Sequence, residues 1–146
     1  MNTVSVTPAI PADQEAINTL LVEANLPNQD FADHLAHFWV ARQNEQVIGS
    51  IGLEPYGQAG LLRSLVVNPT YRGQGLGQEL GNKILTYAHQ LGLQEVYLLT
   101  TTAADFFPKL GFDRCQRADT PATIQATVEF ASLCPATAVC MVKKLG

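Results

Sequence analysis

Apolar and polar positions recur along the chain in two rhythms, one of period two and one near 3.6, and the switches between them mark its elements. Val4 to Ala9 alternates weakly and predicts a first strand. Pro11 and Asp13 then supply a helix start. Ala16, Ile17, Leu20, Leu21 and Ala24 follow at helical spacing until Leu26-Pro27-Asn28 ends the run. A short helix is expected from Asp30 to His37. Phe38 to Arg42 reads as a strand, with Gln43-Asn44-Glu45 as its turn. Val47 to Glu54 is the next strand, joined through Pro55-Tyr56-Gly57-Gln58-Ala59-Gly60 to another at Leu61 to Val67, which makes an antiparallel meander.

A longer helix follows, with Leu76, Leu80, Ile84, Ala88 and Leu91 on one stripe and Gly92 placed to cap it. Val96 to Thr100 is apolar and β-prone. Strand 61–67, helix and strand 96–100 form one βαβ crossover, so those two strands run parallel and side by side. A short helix from Ala103 to Leu110 should stop at Gly111, and two more strands are expected near Phe112–Arg117 and Ala138–Lys143. Residues 118–135 carry no clear rhythm. The class is α/β with a mixed sheet, read as a single domain over 1–146.

Composition narrows the function. The net charge is −4 and no Lys/Arg block occurs, so no phosphate backbone is matched and nucleic acid is not an expected partner. Gly, Asn or Arg interrupts the most apolar windows, so no membrane span is expected. The first residues have neither a basic start nor an apolar run, unlike a signal peptide. Cys115, Cys134 and Cys140 are odd in number and sparse, which suits a reducing cytoplasm and buried packing. The Cys134/Cys140 spacing matches no metal motif, and His34 with His37 lacks a third ligand, so no metal is expected. Trp39 reads as core.

The segment that carries chemistry is Leu61 to Gly77. A strand runs into a loop with glycines at 73, 75 and 77, where a helix opens. Glycines let the backbone approach a ligand, and the unpaired N–H groups of a helix start attract an anion. Arg72 adds a cation, so the ligand should carry phosphates. A Walker A loop needs Gly-Lys-Ser/Thr after its glycines, and Gln78-Glu79 follows Gly77, which disfavours ATP or GTP. A dinucleotide fingerprint fails because Leu80 stands where its third glycine belongs, although Glu95 falls near the expected acidic position.

Arg72-Gly73-Gln74-Gly75-Leu76-Gly77 resembles the Arg/Gln-x-x-Gly-x-Gly/Ala motif of the GNAT N-acetyltransferase family. Thr102 to Phe112, ending in Leu110-Gly111-Phe112, is similar to that family's second hallmark, and Ala138 to Leu145 to its terminal strand. The resemblance implies a GNAT-like, mostly antiparallel central sheet with a splayed parallel strand pair and flanking helices. It also implies acetyl-CoA as co-substrate. Backbone groups of Leu65, Val66 and Val67 would pair with the pantetheine arm. Arg72, Gly73, Gln74, Gly75, Leu76 and Gly77 would hold the pyrophosphate, and Phe106 or Phe107 would face the thioester end.

The implied reaction is direct attack of a neutral amine on the acetyl carbonyl, with a backbone N–H near Leu65 or Val66 stabilising the oxyanion. Phe107 stands where many members carry a tyrosine that protonates the leaving thiolate. Water, Thr101, Thr102 or Tyr97 would replace it, or the thiolate leaves unaided. Glu54, at the end of its strand, is the candidate base. Arg63 interrupts an apolar strand, so it either pairs with an acid such as Glu54 or, with Arg117, faces an anionic acceptor.

Leu62-Arg63-Ser64-Leu65, Thr100-Thr101-Thr102-Ala103 and Leu133 to Ala138 resemble a subgroup from arsenic-resistance operons. That subgroup implies a glutamate-like acceptor bearing an arsinic or phosphinic group. A catalytically weak acetyl-CoA sensor and a protein or peptide acetyltransferase remain the other readings. Segment 118–135 either closes the acceptor pocket or builds a homodimer contact.

Overall fold

The computed structural model, which describes residues 4–145, places seven strands in one sheet. They are β1 (Val4–Pro8), β2 (Phe38–Gln43), β3 (Gln46–Tyr56), β4 (Ala59–Val67), β5 (Glu95–Thr100), β6 (Asp113–Arg114) and β7 (Val139–Lys144). The spatial order is β1-β2-β3-β4-β5-β7-β6. Pairing is antiparallel for β1 with β2, β2 with β3, β5 with β7 and β6 with β7. β4 and β5 run parallel, from Ala59 opposite Glu95 to Leu61 opposite Tyr97, and both strands continue past that register. This is the mixed, mostly antiparallel sheet expected. The helices are α1 (Gln14–Glu23), α2 (Leu76–Gln90) and the single turn α3 (Ala122–Gln125). Among the described residues, no helix is long and apolar enough to cross a membrane.

The chain divides into two compact units, Met1–Leu53 with Ser64–Ile84 and Glu54–Arg63 with Leu85–Gly146. Met1–Thr3 and Gly146 of the expected single-domain span lie outside the described residues.

In the first unit the core follows the periodicity. Ile17, Leu20 and Leu21 of α1 pack with Phe31, Phe38, Val40 and Val66. Leu76, Leu80 and Ile84 of α2 are buried as their stripe predicts. Trp39 is only half-buried, with the Lys83 ammonium 5.6 Å from its ring centroid, so it is a rim residue rather than core. The run from Phe31 to His37 is 3₁₀ rather than α. β2 and β3 approach closely at one point, because Gly52 lies beneath the Phe38 ring. A Cβ there would fall 2.3 Å from the ring carbon Cε1. Arg42 donates to both carboxylate oxygens of Asp13, 2.8 Å to Oδ1, and the Ile10 N–H donates to Oδ2 at 2.9 Å. The Arg42 guanidinium beside it holds the Asp13 carboxyl below its ordinary value, against the opposing effect of burial.

In the second unit Ala59, Leu61, Tyr97, Ile124, Phe130 and Cys140 form the core. α2 ends as expected. Gly92 sits at φ +86°, and its N–H and that of Leu93 donate to the carbonyls of His89 and Ala88. Leu91 falls beyond the helix and is 43% exposed, so it leaves the stripe. The helix expected over 103–110 shortens to a 3₁₀ turn, Phe107–Leu110. Pro108 is the reason, since it lacks an N–H and its ring obstructs the turn before it. Gly111 ends that turn at φ +95°. The strand expected near 112–117 reduces to Asp113–Arg114. Residues 117–133 contain three short turns, of which α3 is one.

Candidate active site

The glycine loop lies in the first unit. Within β4, Ser64 adopts φ +60°, rare for a residue with a side chain, and the buried Ser50 hydroxyl donates to its carbonyl at 2.9 Å. The strand turns at this residue, immediately before Leu65, Val66 and Val67. Gly49 lies against the next stretch, where a Cβ would stand 3.0 Å from the Val66 carbonyl oxygen. Beyond β4, the Asn68 side chain accepts the Thr70 N–H at 3.0 Å and starts a 3₁₀ turn, Pro69–Tyr71. Arg72 follows it, exposed, with Nε donating to the Val67 carbonyl at 3.3 Å.

Gly73 and Gly75 have φ +81° and +80°, and open space surrounds both where a Cβ would stand. Their requirement for glycine is therefore conformational. The Glu79 N–H bonds the Gly75 carbonyl at 3.0 Å, so α2 begins at Leu76 and its first N–H groups have no acceptor within the helix. An exposed cation, two left-handed glycines and a 15-residue helix start make an anion cradle.

The second unit holds a buried charge cluster. Arg63 is completely buried, with NH1 2.7 Å from Glu54 Oε2 and Nε 2.9 Å from Glu129 Oε2. One guanidinium thus faces two carboxylates, and a hydroxyl and a thiol lie against the same two acids. The Tyr56 hydroxyl donates to Glu54 Oε1, and the Cys134 thiol approaches Glu129 Oε1 at 3.6 Å. Burial and the neighbouring Glu129 push the Cys134 thiol up to about 12. Of the two arrangements open for Arg63, pairing with Glu54 is the one observed, with a second acid added. Tyr56 is half-buried and forms the more accessible end of the cluster.

Glu129 and Tyr56 were missed in the sequence. Tyr56 stands two residues after Glu54 on one strand, the spacing that puts both side chains on one face. Glu129 lies between Val128 and Phe130 in a stretch without periodicity, and an arginine inside an apolar strand was the signal that further acid was needed.

Arg117 is engaged elsewhere in this unit. Its NH1 and NH2 donate to the carbonyls of Pro135 and Phe130 at 2.8 and 2.9 Å, and its guanidinium lies 5.5 Å from the Phe130 ring centroid. It thereby ties together the segment left unassigned in the sequence. Phe107 is buried between Phe106 and Phe112, with ring centroids 5.3 and 5.7 Å away in edge-on contact. Tyr97 is buried, and that burial, with Glu95 beside it, pushes its hydroxyl up to about 12, a poor proton donor near neutrality. Thr101 and Thr102 are exposed.

Comparison with known proteins decides the family. The model of the acetyltransferase (GNAT) domain matches residues 34–114, more than half of the chain. The chain belongs to the GNAT acetyltransferase family. An amino-acid acetyltransferase of Pseudomonas putida is 38% identical over 80 residues, 53% of this chain and 18% of that protein. An amino-acid acetyltransferase of Mycobacterium tuberculosis is 29% identical over 124 residues, covering 80% of this chain and 68% of that protein. The chain thus spans less than a fifth of the first of these GNAT relatives. The structure of N-acetylglutamate synthase from Neisseria gonorrhoeae, complexed with coenzyme A and N-acetylglutamate, superposes with a TM-score of 0.84 at 20% identity. It covers 99% of this chain and 35% of that one, and at that identity the likeness shows the GNAT fold.

Proposed function

We propose that this GNAT protein transfers an acetyl group from acetyl-CoA to the α-amine of a small amino acid. The observation that carries the donor half is the strand, loop and helix start from Ser64 to Leu76, with left-handed glycines at 73 and 75 and Arg72 at the rim. Arg72 and the first N–H groups of α2 hold the pyrophosphate, and the backbone of Leu65, Val66 and Val67 pairs with the pantetheine arm. In this reading the Leu65 N–H, next to the left-handed Ser64, stabilises the oxyanion of the thioester.

Glu54 takes the proton from the acceptor ammonium, with the Tyr56 hydroxyl as relay, and the neutral amine attacks the acetyl carbonyl. Arg63 and Glu129 serve this site by fixing Glu54. Buried Phe107 has no proton to give and Tyr97 holds its own tightly, so water protonates the leaving thiolate. A thiol leaves readily near neutral pH, so this suffices.

Two amino-acid acetyltransferases among the relatives support an amino-acid acceptor. A glutamate-like side chain, including one bearing an arsinic or phosphinic group, is the class to test first. The experiment measures CoA thiol release with saturating acetyl-CoA against glutamate, glutamine, a phosphinic glutamate analogue and a lysine peptide. Release with the glutamate class and not with the peptide is expected. Release with the peptide alone, or with no acceptor, overturns the reading. Arg72→Glu should weaken acetyl-CoA binding at least tenfold, measured calorimetrically, without lowering the melting temperature; unchanged affinity removes the loop from the donor site.

A further inference from the structure

The register that sets Asp113 opposite Val142 and Arg114 opposite Met141 continues one residue past β6. Cys115 therefore stands opposite Cys140, and its N–H donates to the Cys140 carbonyl at 2.9 Å. The two sulfur atoms lie 3.1 Å apart. Facing residues on antiparallel strands have Cα atoms about 4.5–5.5 Å apart, inside the range of roughly 4.4–6.8 Å that a disulfide spans. The strands thus already hold both thiols where a bond can form.

Exposure separates the two. Cys140 is 4% exposed and packs with Tyr97, Leu99 and Phe130, whereas Cys115 is half-buried and reachable from solvent. Neither thiol has a part in acetyl transfer, so their pairing is independent of that reading.

We propose that Cys115 and Cys140 are a modification site, a dithiol that low-molecular-weight disulfides convert to an intramolecular disulfide. The Cys115 thiolate attacks one sulfur of the oxidant, forming a mixed disulfide and releasing one thiol. The Cys140 thiolate then attacks the Cys115 sulfur, closes the protein disulfide and releases the second thiol. The protein loses two thiol protons and two electrons, and both electrons reduce the oxidant. Burial and the Cys115 contact push the Cys140 thiol up, and the half-buried Cys115 is the sulfur that meets the oxidant first. Cys140 gives up its proton as it attacks the mixed disulfide, and that proton leaves with the released thiol.

The link closes a loop from 115 to 140. That loop contains α3, Arg117 and Glu129, the second carboxylate on Arg63. Cross-linking removes conformations from the unfolded chain and holds a two-residue edge strand, β6, to β7. Cys134 does not compete, because its thiol is turned toward Glu129.

The test treats the whole chain with oxidised glutathione, blocks remaining thiols with iodoacetamide, and maps peptides by mass spectrometry without reduction. The expected product links Cys115 to Cys140, carries an alkylated Cys134 and is reversed by dithiothreitol. Cys134→Ser should keep the link, and Cys115→Ser should lose it. The oxidised wild type should melt about 5–10 °C higher than the reduced form. A lasting glutathione adduct on Cys115 beside an alkylated Cys140 overturns the proposal. So does a cross-link through Cys134, or complete alkylation of all three. If the correct link forms without a rise in melting temperature, the loop-closing role falls.

Discussion

The two units bury different kinds of side chain. In the first, α1 and the strands beside it contribute an apolar core of Ile17, Leu21, Phe38 and Val40, and the Arg42–Asp13 ion pair lies at its margin. Arg42 keeps 21% of its side chain exposed while it grips Asp13. In the second, a fully buried arginine is shared by Glu54 and Glu129. The first unit gains stability from area removed from water, which is lost in increments as buried methylenes are deleted. The second has charges whose desolvation is repaid only while all partners are present. A core of the second kind fails abruptly and holds a carboxylate in one place, which is what the proposed proton transfer at Glu54 needs.

Removing the shared cation tests this difference most severely. Arg63→Met leaves two carboxylates buried together and should cost about 3–5 kcal/mol, read from the urea midpoint. The triple variant Arg63→Met, Glu54→Gln, Glu129→Gln should recover much of that loss while abolishing CoA release. A single variant as stable as wild type would show that the cluster is not the organising feature of its unit.

The corresponding break in the first unit is smaller. Asp13→Asn removes one partner of a partly exposed pair and should cost about 1–3 kcal/mol at neutral pH. Because the Asp13 carboxyl is held below its ordinary 3.8, the stability it supplies is fully present above that pH. It disappears as pH falls through the depressed folded value. Melting curves of wild type and variant should therefore converge in acid. Parallel curves down to the lowest pH would remove the carboxylate from the account.

The smallest effect belongs to the loop. Gly75→Ala forces a side chain into φ +80° with no steric neighbour, so the expected loss is about 1 kcal/mol of stability, with weaker acetyl-CoA binding. A loss of several kcal/mol would mean that the loop is packed rather than open.

Most of the frame was legible in the residues, because β4, the glycine loop and the α2 stripe each carry a strong local signal that agrees with its neighbours. Leu80 and Ile84 are buried at their predicted positions, and Gly92 caps α2 with the predicted left-handed backbone. Where one residue vetoes an apparent rhythm, the reading failed. Pro108 cut the helix expected from Ala103, and Leu91 fell past the last turn of α2. The site was legible in part, since Arg63 in an apolar strand announced a buried charge. Its partner Glu129 comes from a stretch of short turns, where no period marks which side chain points inward. Cys115 and Cys140 meet through strand register, which spacing along the chain does not disclose.

The contact beneath the Phe38 ring bears on how this chain can vary. With the ring in place, every side chain at Gly52 collides, and with glycine in place the ring has a floor that a smaller residue would leave empty. Either single change is expected to be harmful, and only a smaller side chain at 38 could make room for a Cβ at 52. The two positions are therefore expected to be inherited as a pair, and drift at one must wait for drift at the other.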